Sequence, residues 1–212
     1  MWRFIWEDDS ILSWLVNIVL AFILIKYLVF PGLGLLLGTS HPVVAVVSGS
    51  MEHDGDFGSW WQSGAVCGTS ICTQQEWYNI RGITEEEFKR FIFRNGFNTG
   101  DIIVLTGADM QEIDTGEVIV FQDDKPYPII HRVVAKKLEE GEVYLQTKGD
   151  HNPDSGPNDL NITEEQVIGK ALFRIPYLGW IKIVFFEFLE IIGITRLRSE
   201  ERRVGKECAT GC

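Results

Sequence analysis

The chain has 212 residues, 45% of them hydrophobic, and a formal net charge of -11. That length holds one modest domain, or one domain with membrane elements, and suffices to bury a core. The acidic balance excludes a protein built to grip nucleic-acid backbones, which needs a basic surface, so no nucleic-acid partner is expected.

In chain order, the first feature is an apolar run from Ile11 to Leu37. Asn17 and Lys26 interrupt it, and Pro31 and Gly32 are expected to break it. A spanning helix needs about 20 mostly apolar residues, and Ile11 to Phe30 meets that. Residues 1–40 therefore read as a transmembrane anchor, with the lipid bilayer as a partner. Lys26 can snorkel to the headgroups, and Trp2, Trp6 and Trp14 suit an interface. A cleavable leader is disfavoured, because the run is too long and lacks a basic leading region and a small-x-small cleavage site. Arg3 is outweighed by Glu7, Asp8 and Asp9, so charge leaves the orientation open.

From His41 the pattern changes to short β-like runs: Val43–Val47, Ile102–Leu105, Glu117–Phe121, Ile129–Ala135, Val143–Gln146 and Val167–Phe173. They are rich in β-branched residues and bounded by Gly, Asp or Asn. Residues 41–176 are expected to form a β-rich domain. Within it, 52–98 reads as an insertion: a Gly- and Trp-rich loop, then a helix. Thr84 and Glu87 form a capping box for that helix, Phe88 to Phe93 supply apolar positions, and Gly96 ends it. Thr163 with Gln166 suggests a second helix start. Cys67 and Cys72 are too few for a zinc site; a local disulfide and two free thiols are both open. His53, Asp54 and Asp56 lack a defensible ligand spacing, so no metal is expected. Trp60 and Trp61 suit either a membrane surface or a loop core. Asn161-Ile162-Thr163 matches a glycosylation acceptor, a triplet common by chance.

Residues 177–197 are apolar but carry Lys182, Glu187 and Glu190. They read as an interfacial helix, with a second membrane pass as the alternative. The string RSEERRVGKEC, from Arg198 to Cys208, resembles one translated frame of a DNA sequencing adapter. Residues 198–212 are therefore expected to be a non-native tail.

Three segments carry side chains suited to chemistry. Ser48-Gly49-Ser50-Met51 follows a strand directly, and a serine acts as a nucleophile only when held exposed beside a base. His131-Arg132-Val133-Val134 lies inside a β-like run. Thr147-Lys148-Gly149-Asp150 ends another and leads to Asp154 and Asp159. Each alone reads as ordinary structure: a turn, a strand histidine, an aspartate bonded to backbone N–H groups. Together, a serine, a histidine and an aspartate are the parts of an acyl-transfer site.

These segments, with Gly100-Asp101-Ile102-Ile103 and Ile175-Pro176-Tyr177-Leu178-Gly179-Trp180, resemble the successive boxes of signal peptidase I. The resemblance covers nearly the whole chain except the insertion and the tail. Histidine at the base position points to the archaeal and endoplasmic-reticulum branch. The resemblance implies a mainly β fold: a signal-peptidase-like antiparallel β domain with an N-terminal transmembrane helix, a small helical insertion and a C-terminal interfacial helix. It implies a membrane-bound serine endopeptidase that removes signal peptides from preproteins, beside the protein translocon, on the extracytoplasmic side of the cell membrane and without a cofactor. Ser50 would be the nucleophile and His131 the base. Ser48 and the Ser50 backbone N–H would hold the oxyanion, and Asp150 would support the site. The family places its second aspartate six residues after the Gly-Asp aspartate, where this chain has Gly156. Asp154 and Asp159 are the candidates, with Asp159 preferred. Lys148 reads as solvated or structural. A self-cleaving or pilin-like processing protease, and a non-catalytic anchored domain that binds partners, are the competing readings.

Overall fold

A computed structural model of the chain describes residues 10–123, 127–139 and 141–180. The expected C-terminal helix beyond Trp180, the tail, and Trp2, Arg3 and Trp6 lie outside the described residues.

Helix α1, Ile11–Leu37, is 27 residues long, about 40 Å at the α-helical rise. Ser10 caps it, its Oγ accepting the Ser13 N–H at 3.2 Å. Leu12, Leu20, Phe22 and Leu35 stand exposed along it. Among the described residues it is the one helix long and apolar enough to cross a membrane. The expected break at Pro31-Gly32 does not occur. A wide π-type turn at Ile25–Val29 immediately precedes the proline. Proline lacks an N–H and its ring presses on the carbonyl four residues earlier; the widened turn relieves that conflict and the helix runs on. It stops at Gly38, which adopts φ 66° and donates its N–H to Gly34.

The helix is tied to the domain where it ends. Gly107 N–H donates to the Leu37 carbonyl at 2.7 Å, and Thr39 Oγ1 donates to the Ile168 carbonyl at 2.8 Å.

Six strands form one antiparallel sheet in the order β1-β4-β8-β5-β6-β7. They are β1 Val43–Ala45, β4 Ile102–Thr106, β5 Val118–Phe121, β6 Ile129–Glu139, β7 Glu142–Lys148 and β8 Val167–Ile175. All six expected runs are strands, three of them extended by two or more residues. Period-2 alternation divides the core. Val118 and Val120 join Val46, Met51, Phe97, Ile103 and Leu105 on one face. Ile119 and Phe121 join Val133, Leu145 and Ile162 on the other. Strand β1 is an edge, hydrogen-bonded only to β4 among the described residues.

The 52–98 region is more structured than a loop and one helix. It contains helix α2 Phe57–Trp61, a hairpin of β2 Gly64–Cys67 and β3 Ser70–Thr73, helix α3 Gln74–Ile80 and the single turn α4 Glu85–Phe88. The helix expected to run on towards Gly96 ends near Phe88, and Phe93 takes φ 58°. Cys67 and Cys72 are joined by a disulfide. Trp60, Trp61, Trp77, Tyr78 and Phe88 pack with Val134 of β6 as a second core, so Trp60 and Trp61 are core residues. Thr163–Gln166 forms only a capped 3-10 turn.

Candidate active site

Strand β6 presents successive residues to opposite faces, so His131 and Arg132 build two different clusters. The His131 ring is nearly buried, packed edge-on against Phe121. Its Nδ1 lies 2.5 Å from Asp159 Oδ1. A carboxylate only accepts, so Nδ1 carries the proton and Nε2 is left as the acceptor. Thr147 Oγ1 donates to the same Asp159 oxygen at 2.6 Å, and Gly156 N–H donates to the other at 2.8 Å. Burial pushes the Asp159 carboxyl up, but the bond and charge of His131, then Thr147 and Gly156, outweigh it and hold the group below its usual range.

Asp159 sits three residues beyond the expected position because the intervening chain makes one 3-10 turn, Pro157–Asp159. Residues i and i+3 eclipse in such a turn, so Asp159 lies over Gly156. Asp154 is elsewhere: it accepts Trp77 Nε1–H at 2.8 Å and lies 3.6 Å from Arg81. It has no contact with His131, which corrects its candidacy.

Ser50 stands at the turn after β1. Its Oγ is 3.4 Å from Ser48 Oγ, and its carbonyl accepts the His151 N–H at 2.9 Å. The anticipated direct hydrogen bond between Ser50 and His131 is absent. The two instead border one point at Gly149: a Cβ there would lie 2.7 Å from the Ser50 carbonyl oxygen and 2.9 Å from His131 Nε2. Such contacts are often loose without substrate and tighten when it binds.

Asp150 has a different surrounding from the one a triad needs. It is fully buried. Its Oδ1 accepts Arg132 Nε (2.9 Å) and Tyr78 Oη (3.2 Å); its Oδ2 accepts Arg132 Nη2 (2.6 Å) and His53 Nε2 (3.0 Å). Burial opposes its charge, but Arg132 and His53 hold its carboxyl far below the usual range. Arg132 spends its remaining N–H groups on the carbonyls of Ile92, Gly116 and Phe93. With four bonds accepted and five donated, the pair has no capacity left for His131.

Lys148 is fully buried, not solvated. Its Nζ donates to Gln74 Oε1 at 2.8 Å and the Gly149 carbonyl at 3.1 Å, and it lies over Trp77 and Tyr78. Burial lowers its amine to about 7 against the pull of Asp150 and Asp154. Asp101 accepts the backbone N–H groups of Asn98 and Tyr177. Among the described residues no group of His, Cys, Asp and Glu is arranged to hold a metal.

Sequence reasoning placed Thr147 and Gly149 in a flagged segment without giving them roles, weighed His53 only as a metal ligand, and did not single out Tyr78. Helix α3 bears the box Thr73-Gln74-Gln75-Glu76, whose reciprocal bonds form, so the same signal recognised at Thr84 was present there too.

A membrane-length helix feeding a mostly antiparallel β domain, with a few small helices, is the architecture of a signal-peptidase-like fold. No family model matches the chain. Curated relatives do. The human signal peptidase complex catalytic subunit SEC11C is 26% identical over 170 residues, 76% of this chain and 66% of the relative. SEC11 of Komagataella phaffii is 27% identical over 176 residues, 76% of each chain. SEC11 of Colletotrichum graminicola is 32% identical over 99 residues, 43% of this chain and 58% of the relative. The match thus spans just under two thirds of the length of SEC11C. The chain is similar, at 26–32% identity, to SEC11-type catalytic subunits of the signal peptidase complex. These three relatives are eukaryotic, and the similarity to them carries no archaeal assignment.

Proposed function

We propose that this protein is a membrane-anchored serine endopeptidase that removes signal peptides from preproteins, as the names of its SEC11 relatives suggest. The observation that carries the reading is the His131–Asp159 pair, whose free Nε2 borders the Ser50 turn across Gly149.

Ser50 Oγ attacks the scissile carbonyl as its proton passes to His131 Nε2. The Ser50 N–H and Ser48 Oγ donate to the oxyanion. The imidazolium, stabilised by Asp159, gives the proton to the departing amine as the C–N bond breaks. The leader remains as an ester on Ser50. Water then attacks with His131 again as base, releasing the leader's carboxylate and restoring the serine. Asp150 has no part in proton transfer; with Arg132 it supports the turn.

The substrate chain lies extended along the free edge of β1, where backbone pairing gives affinity. Small side chains before the cut fit this site, as the family resemblance implies. The anchor holds enzyme and leader in one bilayer and raises their effective concentration. The Cys67–Cys72 disulfide supports an oxidising, extracytoplasmic location for the domain. As the relatives' name, signal peptidase complex catalytic subunit, implies, partner subunits assemble with it, near the translocon.

The test is cleavage of a labelled preprotein by the full chain in proteoliposomes. Ser50→Ala and His131→Ala fold normally and release no leader. Cleavage by folded Ser50→Ala overturns the reading.

A further inference from the structure

We infer that His53, contributed by the segment that opens the insertion, is a positioning residue that fixes the nucleophile's turn to the Gly149–His151 turn. The inference rests on the protease reading above.

The Gly149–His151 turn touches the nucleophile's segment at successive points. Gly149 packs on the Ser50 carbonyl. Asp150 N–H reaches Met51 Sδ at 3.4 Å, and His151 N–H holds the Ser50 carbonyl at 2.9 Å. A single hinge of this kind sets distance but leaves rotation about it free. His53 removes that freedom. It lies three residues after Ser50, and its Nε2 returns to Asp150 Oδ2 at 3.0 Å. The segment Ser50 to His53 is thus fastened to the turn at both ends, and the ring this closes fixes orientation as well as distance.

His53 is itself immobilised. Its ring stacks on Trp60 at 3.7 Å with the planes 4° apart. A Cβ at Gly96 would stand 2.7 Å from its Cδ2, so glycine is needed there for the ring to sit. Trp60 also donates its Nε1–H to the Asp150 carbonyl at 2.9 Å, gripping the turn from a second direction. The His53 Nδ1 is buried and has no partner among the described residues. A group that leaves one nitrogen unpaired in the core is a poor stabiliser; what it supplies is placement of the Asp150 carboxylate against the Ser50 turn.

The test uses the full chain in detergent with a labelled preprotein, reading kcat, KM and melting temperature. His53→Leu fills the space but cannot donate. It lowers kcat tenfold or more, with KM within twofold and the melting temperature within a few degrees. His53→Gln offers a carboxamide N–H in place of Nε2–H and recovers most of the loss. Tyr78→Phe removes one bond to Asp150 at constant shape and lowers kcat a few-fold. Wild-type kcat in folded His53→Leu overturns the inference, as does a kcat loss that His53→Gln does not relieve. Should His53→Leu fail to fold, Tyr78→Phe decides: unchanged kcat overturns the inference, and reduced kcat at unchanged KM upholds it. Ser50→Ala separates the levels. If it still cleaves, the protease reading falls; if it is inactive while His53→Leu is fully active, only the role of His53 falls.

Discussion

Gly149→Ala probes the point where the turn of Ser50, the proposed nucleophile, approaches His131, the proposed base. Gly149 does not need a left-handed conformation, so alanine is acceptable to its backbone; the obstacle is space. The added methyl would stand 2.7 Å from Asn152 Nδ2, 2.7 Å from the Ser50 carbonyl and 2.9 Å from His131 Nε2. Ordinary contact begins near 3.4 Å, so each neighbour must retreat by roughly half an ångström or more. The Asn152 amide is a side-chain end and yields readily. The Ser50 carbonyl is backbone, held by His151, and the His131 ring is held by Asp159. The methyl therefore pushes the Ser50 turn away from the His131 ring. Overpacking of this size costs about 1–3 kcal/mol of stability. A misplacement approaching 1 Å costs up to about 100-fold in rate, so kcat should fall roughly 10- to 100-fold with little change in KM. The assay is preprotein cleavage by full-length protein in detergent, with circular dichroism to measure the folded fraction. A folded Gly149→Ala protein with wild-type kcat would refute the claim that Ser50 and His131 meet across this glycine.

Two further predictions follow from the same geometry. Asp159→Asn places an amide where both oxygens already accept, from His131 and Thr147 on one side and Gly156 on the other. Either orientation sets donor against donor, and kcat should fall about 10³- to 10⁴-fold, while Asp154→Asn, remote from the imidazole, keeps kcat within a few-fold by the same cleavage assay. Lys148 gives a pH signature in stability. Its amine is lowered to about 7 in the folded protein by burial, from 10.5, so between these values the unfolded chain binds the extra proton and stability rises with pH, by up to about 1.4 kcal/mol per unit. Urea unfolding from pH 7 to 9.5 should show that rise in the wild type and a flatter profile in Lys148→Met; parallel profiles would contradict it.

The sheet was legible in the sequence because its cause is local. Val118 to Phe121 is an unbroken β-branched and apolar run, and Ile129 to Val134 is one interrupted only by His131 and Arg132; such runs suit strands buried on both faces. The anchor was legible as composition, but its passage through Pro31 was not, because a π-type turn leaves no signature in residue type. The insertion was misjudged for a different reason. Its short helices are too brief to show a 3.6-residue period, and its order comes from Trp60, Trp61, Trp77 and Tyr78 packing on β6, a tertiary event. Counting residues pointed to Gly156 and left Asp159 as a preference; the 3-10 turn is what carries Asp159 back over Gly156 to His131.

His53 shows how the site and its frame depend on each other. Judged as a metal ligand it drew no attention, since it stands beside Asp54 and Asp56 without useful spacing. Its role becomes visible only once Asp150 is seen to be saturated by Arg132, Tyr78 and His53 together. Arg132 adjoins His131, His53 follows Ser50 by three residues, and Asp150 adjoins Gly149. Ser50 and His131, proposed for proton transfer, thus each have a near neighbour in sequence committed to one buried carboxylate. Because alternation on β6 sends His131 to Asp159 and Arg132 to Asp150, the proton-transfer pair and the clamp occupy opposite faces of the same strand. A shift of register by one residue would exchange them and abolish both. The antiparallel pairing of Arg132 with Lys148 is accordingly the element of the fold on which the proposed chemistry most directly depends.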